Sequence, residues 1–390
     1  MKKVVLMVLF LVGPFLGFGQ SLDNLLQSVE QNNPRLIALE KWLEAEEVRA
    51  RTGIYPENPE VSFSYLFGNP EAIGNQQELG VMQTFRLPWY YLSKSAVQQL
   101  TFQQMQALAD VERRNVIHSA RSAFFRLVML HQKATILKSR HEDVTLLVEL
   151  MTEGFEAGEI SRPVLDKARI HAIGVQTELQ TTLSDINVQT HLLAQLGVGS
   201  DIDNMTFEYP KDWVIPEFKQ IWANLSENNP NLIIARLDIQ QSEEEIRHQR
   251  MANLPALTAG YRSEAILDQS LQGFQVGITI PLWQNKNRLR QARLENAWAT
   301  ANYSQKESEL ITEVYGIYEE LHALHSGYQQ MKAVLDEEQA SIGNLELLRA
   351  GHISFTEFLV NADLIWDARS RFLRAENDYF VLLSKLKSLL

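Results

Sequence analysis

Few side chains in the sequence are spaced as a catalytic or metal-binding site requires. His141-Glu142 begins like a zinc-protease motif, but the second histidine of that motif is missing. His322 and His325 are spaced to share one helix face as a metal pair, yet no third ligand can be named. A Gly-x-Ser-x-Gly elbow, a phosphate loop and a dinucleotide fingerprint are also missing. We therefore expect no catalysis, no cofactor and no bound metal.

The amino-acid composition excludes further classes of protein and of binding site. The chain has no cysteine, which excludes a disulfide framework, thiolate metal sites and the acylated N-terminal cysteine of a lipoprotein. Its 36 basic and 48 acidic residues give a net charge of −12, so a phosphate backbone is a poor partner and no nucleic acid is expected. Paired acids such as Glu46 and Glu47 fall in charge-rich helical patterns and are interpreted as solvated faces.

The N-terminus predicts export. Lys2 and Lys3 precede an apolar stretch over residues 4–18, and small residues close it before Gln20. This layout predicts a signal peptide at 1–19. The alternative is a retained anchor, but the run is shorter than the roughly 20 apolar residues of a spanning helix. No later segment approaches that length, so any membrane insertion is expected to use β-structure.

Three short segments recur in the same order at offsets of 193 to 197 residues. They are Asn32-Asn33-Pro34 and Asn228-Asn229-Pro230, Gly80-Val81 and Gly277-Ile278, and Gly158-Glu159-Ile160-Ser161 and Gly351-His352-Ile353-Ser354. This period is too long for a solenoid, so we predict two tandem copies of one unit, at 20–200 and 217–390. A linker at 201–216 joins them where Gly, Asp, Asn and Pro cluster.

Each copy is predicted to run helix, strand, strand, helix, helix. The first helix is expected at about 22–51, ending before Pro56. Alternating apolar and small polar residues predict strands at about 60–67 and 78–87 in the first copy. The same pattern predicts strands at about 256–267 and 273–283 in the second copy. The fold class is therefore mainly α with a small β part.

Long helices are the most informative feature. Residues 89–153 contain neither glycine nor proline, and 65 helical residues would span about 97 Å. Residues 352–390 are free of both breakers too, and a seven-residue apolar repeat indicates packing along a narrow helical seam. Its members are Phe358, Ile365, Phe372, Tyr379 and Leu386. Such helices suit the staves of a coiled-coil α-barrel.

Four strands cannot close a barrel, and an open edge in lipid leaves backbone groups unsatisfied. The strands must therefore be completed by other copies, of which two would give eight strands and three would give twelve. Trp89, Tyr90, Tyr91 and Trp283 follow strands and suit an aromatic girdle at the membrane interface. The alternative is that these rings pack in an ordinary core.

The repeated Asn-Asn-Pro helix openings, paired strand hairpins and Gly-x-x-Ser turns resemble the TolC-like outer-membrane efflux family over nearly the whole mature chain. The strand at 277–282, Gly-Ile-Thr-Ile-Pro-Leu, is similar to that family's fourth strand. The segment 83–88, Gln-Thr-Phe-Arg-Leu-Pro, looks most like the heavy-metal branch, of the CzcC and CusC type. The resemblance implies a homotrimer whose α-barrel lies in the periplasm. Its 12-stranded transmembrane β-barrel would lie among outer-membrane lipid of a Gram-negative bacterium.

The resemblance also implies partners and cargo. A periplasmic adaptor (membrane fusion) protein and an inner-membrane pump of the resistance-nodulation-division type would complete a tripartite efflux system. The chain itself would be a passive exit duct for heavy-metal cations. The alternatives are the same duct serving drug efflux or type I protein secretion, and a periplasmic coiled-coil scaffold without membrane insertion. The alternating strand hairpins argue against the scaffold.

By the family pattern, the two Gly-x-x-Ser turns are the periplasmic tips that contact the adaptor. The residues assigned to this role are Gly158, Ile160, Ser161, Leu165, Gly351, Ile353, Ser354 and Phe358. The alternative is an ordinary helix hairpin without a partner.

Acidic residues after the second turn form a pore-constricting ring in this family, and Glu357 occupies a matching position. Three carboxylates near one axis would repel one another and attract cations. A second acid expected three residues later is Val360 here, so a two-layer gate is not predicted. Glu156, Glu159 and Asp166 are further candidates from the first turn, or else solvated surface groups.

Overall fold

The computed structural model describes residues 20–199, 202, 205–337 and 345–390. The predicted signal peptide at 1–19, position 200 of the first copy, and linker positions 201, 203 and 204 lie outside the described residues. The first copy contains α1 (Gln20–Asn32), α2 (Pro34–Ala50), β1 (Glu60–Leu66), β2 (Gln76–Phe85), α3 (Pro88–Glu156) and α4 (Arg162–Leu193). The second contains α5 (Phe218–Asn228), α6 (Pro230–Ala252), β3 (Ala256–Ile266), β4 (Gln269–Thr279), α7 (Arg288–Glu337), α8 (Leu345–Arg349) and α9 (Phe355–Leu389).

The element order therefore repeats, apart from the short α8 of the second copy, and the predicted first helix needs one correction. The predicted helix at 22–51 is two helices, because Pro34 has no N–H to donate and Asn33 adopts the capping position between them. The Asn33 side-chain oxygen accepts hydrogen bonds from the backbone N–H groups of Arg35 at 2.9 Å and Leu36 at 3.2 Å.

The four strands form one antiparallel sheet in the order β1-β2-β3-β4. The hairpins of the two copies meet at β2 and β3, which pair from Gln76↔Ile266 to Phe85↔Leu257. β4 begins four residues before its predicted start because a two-residue turn, Leu267 and Asp268, closes its hairpin. Leu267 adopts a φ of +50° there.

Spatial proximity divides the chain into two compact units, each built from both copies. Among the described residues, unit 1 comprises those within 20–36, 116–215 and 319–388, and unit 2 comprises those within 37–115, 216–318 and 389–390. The 69-residue α3 contributes to both units. Its unbroken length confirms the prediction made from a sequence free of helix breakers.

The core of unit 1 is rich in aromatic rings. Phe124 and Phe125 of α3 are almost completely buried. Part of the predicted linker packs on them: the Phe207 ring lies 5.4 Å from Phe124, and the Tyr209 ring lies 5.7 Å from Phe125. The Tyr209 ring also stacks on Phe380 of α9 with centroids 4.4 Å apart. Burial raises the pKa of Tyr209, so its hydroxyl stays neutral. The segment after the first copy is thus fixed to the helices by stacking.

Unit 2 contains the sheet and the helices next to it in sequence. Ile221, Leu225 and Leu232 of α5 and α6 are buried, as is Val314 of α7. Across residues 20–199, 202, 205–337 and 345–390, no helix carries an apolar stretch suited to crossing a bilayer.

Candidate functional site

The two Gly-x-x-Ser turns have the same backbone geometry. Gly158 has φ +79° after α3, and Gly351 has φ +72° after α8. At each, the glycine N–H and the next N–H donate back to two carbonyls of the preceding helix, which defines a Schellman motif. The bonds are Gly158 N to Phe155 O, Glu159 N to Gly154 O, Gly351 N to Leu348 O and His352 N to Leu347 O, at 2.8 to 3.1 Å. A positive φ is readily available only to glycine, which explains both residues.

The helices that leave these turns begin in different ways. Ser161 precedes α4 in an extended conformation, but its side chain makes no capping bond, and a proline stands in the first turn. Ser354 makes a capping box with Glu357. The Ser354 oxygen accepts from the Glu357 N–H at 3.2 Å, and the Glu357 carboxylate accepts from the Ser354 N–H at 3.4 Å. Both serines precede a helix, and only Ser354 caps its helix through the side chain.

One hydrophobic cluster in unit 1 supports both turns. Leu165 of α4 and Phe358 of α9, at equivalent places in the two copies, are 1% and 3% exposed and share this cluster. Its other buried members are Leu147, Met151 and Ala168. Ile160 and Ile353, from the turns themselves, are partly buried against it. The residues predicted as the tips therefore meet in one place, because the two turns share a core.

Exposure separates the predicted tip residues into two groups. Gly158, Ser161, Gly351 and Ser354 are exposed at the turns, whereas Leu165 and Phe358 point into the core. The candidate gate residue Glu357 is exposed on the first turn of α9. Of the acids near the first turn, Asp166 pairs with Arg162 at 3.0 Å.

The sheet has two chemically distinct faces. Directly paired residues project to the same side, so the register assigns every strand position to a face. One face, here the apolar face, is mostly apolar and carries Val61, Phe63, Tyr65, Leu79, Val81, Phe85, Leu257, Tyr261, Phe274, Val276 and Ile278, together with the polar residues Gln77, Gln83, Ser263, Ser270 and Gln272. Phe274 is 92% exposed and Val276 is 79% exposed. Apolar side chains are left facing outward.

The opposite face, here the polar face, is mostly polar and carries Glu60, Ser62, Ser64, Gln76, Glu78, Thr84, Thr258, Arg262, Glu264, Gln269, Gln275 and Thr279, together with the apolar residues Leu66, Met82, Ile266 and Leu271. Gly80, Gly260, Gly273 and Gly277 lie on it too. Arg262 bridges Glu78 at 3.1 Å and Glu264 at 2.8 Å. This ion-pair network was not identified from the sequence. The pattern that could have indicated it is that the charged strand residues occur at alternate positions.

The predicted interface aromatics occupy two kinds of environment. Trp89 is 59% exposed and Trp283 is 77% exposed. Tyr90 and Tyr91 are half-buried, and the Tyr90 ring packs on His248 with centroids 4.9 Å apart. The Tyr91 hydroxyl accepts a hydrogen bond from the Arg86 N–H at 3.3 Å. The tyrosines therefore brace the start of α3, and the tryptophans face outward.

The histidine pair is not part of a ligand cluster. The His325 ring packs against Tyr328 and Tyr379, with centroids 5.3 and 5.2 Å away. Within the described ranges, no group of three or more His, Cys, Asp or Glu side chains is placed to hold a metal ion.

Solved structures share this fold. A structure of CusC, from work on its folding and transmembrane channel formation, matches with a TM-score of 0.78 and 16% identity, over 95% of this chain and 92% of that chain. The outer membrane protein VceC from Vibrio cholerae matches with a TM-score of 0.77 and 15% identity, over 94% and 95%. A membrane protein from Pseudomonas aeruginosa matches with a TM-score of 0.81 and 13% identity, over 95% and 92%. No family model and no curated protein matches the chain in sequence.

These matches cover nearly the full length of both partners, so they concern the whole architecture rather than a shared helix hairpin. The chain has the fold of the TolC-like outer-membrane channels. The predicted fold class, mainly α with four strands and long helices, is confirmed, as is the resemblance to those proteins at the level of fold.

Proposed function

We propose that this chain is one subunit of a passive exit duct in the outer membrane of a Gram-negative bacterium. The single observation that carries the proposal is the two-faced sheet on a fold shared with outer-membrane channels. The apolar face has the chemistry of a lipid-facing surface, and the polar face that of a water-filled lumen. Trp89 and Trp283, both exposed near the strands, are proposed as the interfacial girdle.

The proposed oligomer is a homotrimer. β1 and β4 are the edges of the described sheet, so each has a paired neighbour on one side only. Unpaired edge groups in hydrocarbon cost several kcal/mol each, which favours closure by strands from other copies. Three copies supply twelve strands, and an exposed apolar face on each extends the lipid-facing band.

We propose the paired turns as the contact for a periplasmic adaptor, which would connect the duct to an inner-membrane pump. The exposed backbone of Gly158 and Gly351, with the hydroxyls of Ser161 and Ser354, forms the contact surface in this proposal. Leu165 and Phe358 hold the turns in place from the cluster below. Because both turns rest on one core, an adaptor would meet them as a single surface.

The proposed cargo is heavy-metal cations, supported by the resemblance of segment 83–88 to the heavy-metal branch. The duct needs no catalytic group for this role, since the pump supplies the driving force. The test is survival of a strain that lacks the gene, grown in graded metal salts and in graded drugs. Loss of metal tolerance alone would support the cargo, and loss of drug tolerance alone would replace it.

Planar-bilayer conductance of the purified full chain tests the duct itself. Discrete conductance steps from a particle with the mass of three chains, measured by light scattering in detergent, are the expected result. A chain that stays soluble and elongated without detergent and never inserts would overturn the duct and favour the scaffold.

Glu357 can act as a gate through its charge or only as a helix cap. Glu357→Gln keeps a capping-box partner and removes the charge, whereas Glu357→Ala removes both. A gating charge predicts higher conductance for both variants and loss of cation block. A cap alone predicts a lower melting temperature for the alanine variant and wild-type conductance for the glutamine variant. Glu153→Gln, which neutralises an exposed acid at the end of α3, is the matched control.

A further inference from the structure

The charged residues of the four strands all lie on one face of the sheet. They are Glu60, Glu78, Arg262 and Glu264, and the register places each on the polar face. Three of them form a group near the hairpin turns, where Glu78 pairs directly with Glu264 and Arg262 pairs with Gly80. Charged residues that were merely solvated would not need to lie together in this way.

Within this group, Arg262 offsets the repulsion between Glu78 and Glu264. Glu78 and Glu264 face each other across β2 and β3, and like charges directly opposite destabilise a sheet. Arg262 lies between them, with its guanidinium 3.1 Å from Glu78 and 2.8 Å from Glu264. The Gln76 amide donates to Glu78 at 2.9 Å and lies 3.5 Å from Glu264. Two carboxylates share one guanidinium, so one negative charge remains uncompensated.

These side chains stay in contact with water. The exposed fractions are 24% for Glu78, 33% for Glu264 and 48% for Arg262. Arg262 is flanked in the register by Gly80 on one strand and Gly273 on the other, which carry no side chains to cover it. The residual charge therefore acts on the solution over the polar face.

We propose that Glu78, Arg262 and Glu264 set the charge selectivity of the duct, favouring small cations over small anions. This inference rests on the proposed function, because it needs the polar face to line the lumen. Each subunit contributes a net charge of −1 from the group, since two carboxylates surround one guanidinium. Cations are concentrated and anions depleted near such charges, over about the Debye length of ~10 Å at 0.1 M salt.

The test is the reversal potential of single channels in a KCl gradient, converted to a ratio of potassium to chloride permeability. Arg262→Gln leaves two carboxylates and is expected to raise the ratio about twofold near 0.1 M salt. Glu78→Gln neutralises the group and is expected to lower it by a similar factor. Raising the salt to about 1 M, where the Debye length is ~3 Å, is expected to suppress both changes.

A double variant separates charge from structure. Glu78→Gln with Arg262→Gln removes the bridge but keeps one negative charge, so the wild-type ratio is expected. Opposite shifts in the two single variants with an unshifted double variant support the proposal, because damage to the fold would not change sign. Conducting channels with one ratio in all four proteins would overturn the selectivity role and leave the duct intact. No conductance from the wild-type chain would overturn the duct and this inference together.

Discussion

Asn33 and Asn229 make the same contacts at equivalent places in the two copies. Each side-chain oxygen accepts two backbone hydrogen bonds from the start of the following helix, at 2.9 to 3.4 Å. Each side-chain nitrogen donates to a carbonyl at the end of its own copy, Leu196 at 2.9 Å and Leu389 at 3.1 Å. Both side chains are almost completely buried. One residue type thus caps a helix and ties it to the backbone near the C-terminal end of each copy.

Asn33→Ala and Asn229→Ala should each destabilise the protein by about 1–3 kcal/mol, because a cap is lost and a buried carbonyl loses its donor. The measurement is the melting temperature of the detergent-solubilised protein. Asn32→Ala and Asn228→Ala are matched controls, since these neighbours are exposed and their amides bond only within their own helices. Equal losses at neighbours and caps would show that the closing contacts contribute nothing.

The sequence predicted helices, strands and their repetition because breakers and periodicity are local. It did not predict what the asparagine signature contacts, since Leu196 is 163 residues from Asn33. Such long-range partners are set by tertiary packing, which local sequence patterns do not reveal. The strand faces were readable from alternation, but the Glu78 and Glu264 pairing needed the register between hairpins of different copies.

The candidate site at the two turns was predictable to a similar extent. The sequence predicted turns at Gly158 and Gly351, and both glycines adopt a left-handed conformation there. The Ser-x-x-Glu spacing of Ser354 and Glu357 also signalled a capping box, but Glu357 was interpreted only as a gate residue. The common core under both turns could not be predicted, because the contact of Leu165 with the same cluster as Phe358 depends on how distant helices assemble.

Gly158→Ala and Gly351→Ala should each cost about 1 kcal/mol, because an L side chain is strained at the positive φ of these turns. Asparagine tolerates this conformation better, so Gly158→Asn should cost less than Gly158→Ala. Melting temperatures measure the difference. Gly174→Ala provides the contrast: it lies inside α4 with open space around it and should stabilise by roughly 0.5–1 kcal/mol. Stabilisation at the turns as well would contradict the left-handed geometry.

Gly260→Ala should prevent correct pairing of β2 with β3. A Cβ at this position would lie 2.2 Å from the Val81 carbonyl oxygen, a backbone atom that cannot move without shifting the strand. Gly273→Ala lies on the same face with no atom within 4 Å and is the matched control. The yield of folded oligomer in the membrane fraction is the measurement, with a several-fold loss expected for Gly260→Ala only. Equal yields would show that the strand adjusts.

His118 of α3 contacts Ser384 of α9 inside unit 1, with Nδ1 3.2 Å from the serine oxygen. Burial lowers the pKa of this imidazole, and the positive charges of Arg121 and Lys385 lower it further. In the unfolded chain the imidazole returns to its ordinary pKa near 6.5. Between the two pKa values the unfolded state binds the extra proton, so lowering the pH favours unfolding.

Proton binding by His118 should therefore contribute a fall in the wild-type melting temperature as the pH drops below about 6.5, and this contribution should vanish in His118→Gln. Near pH 7.5 the variant is expected to melt at a lower temperature than wild type, because the substitution removes the contact with Ser384. The gap should narrow by about pH 5.5, where the wild type also carries the protonation penalty. The comparison is made between proteins at each pH because Glu376, whose pKa is raised by burial, acts in the opposite direction in both. A constant gap across this range would mean that His118 binds its proton equally in the folded and unfolded chains.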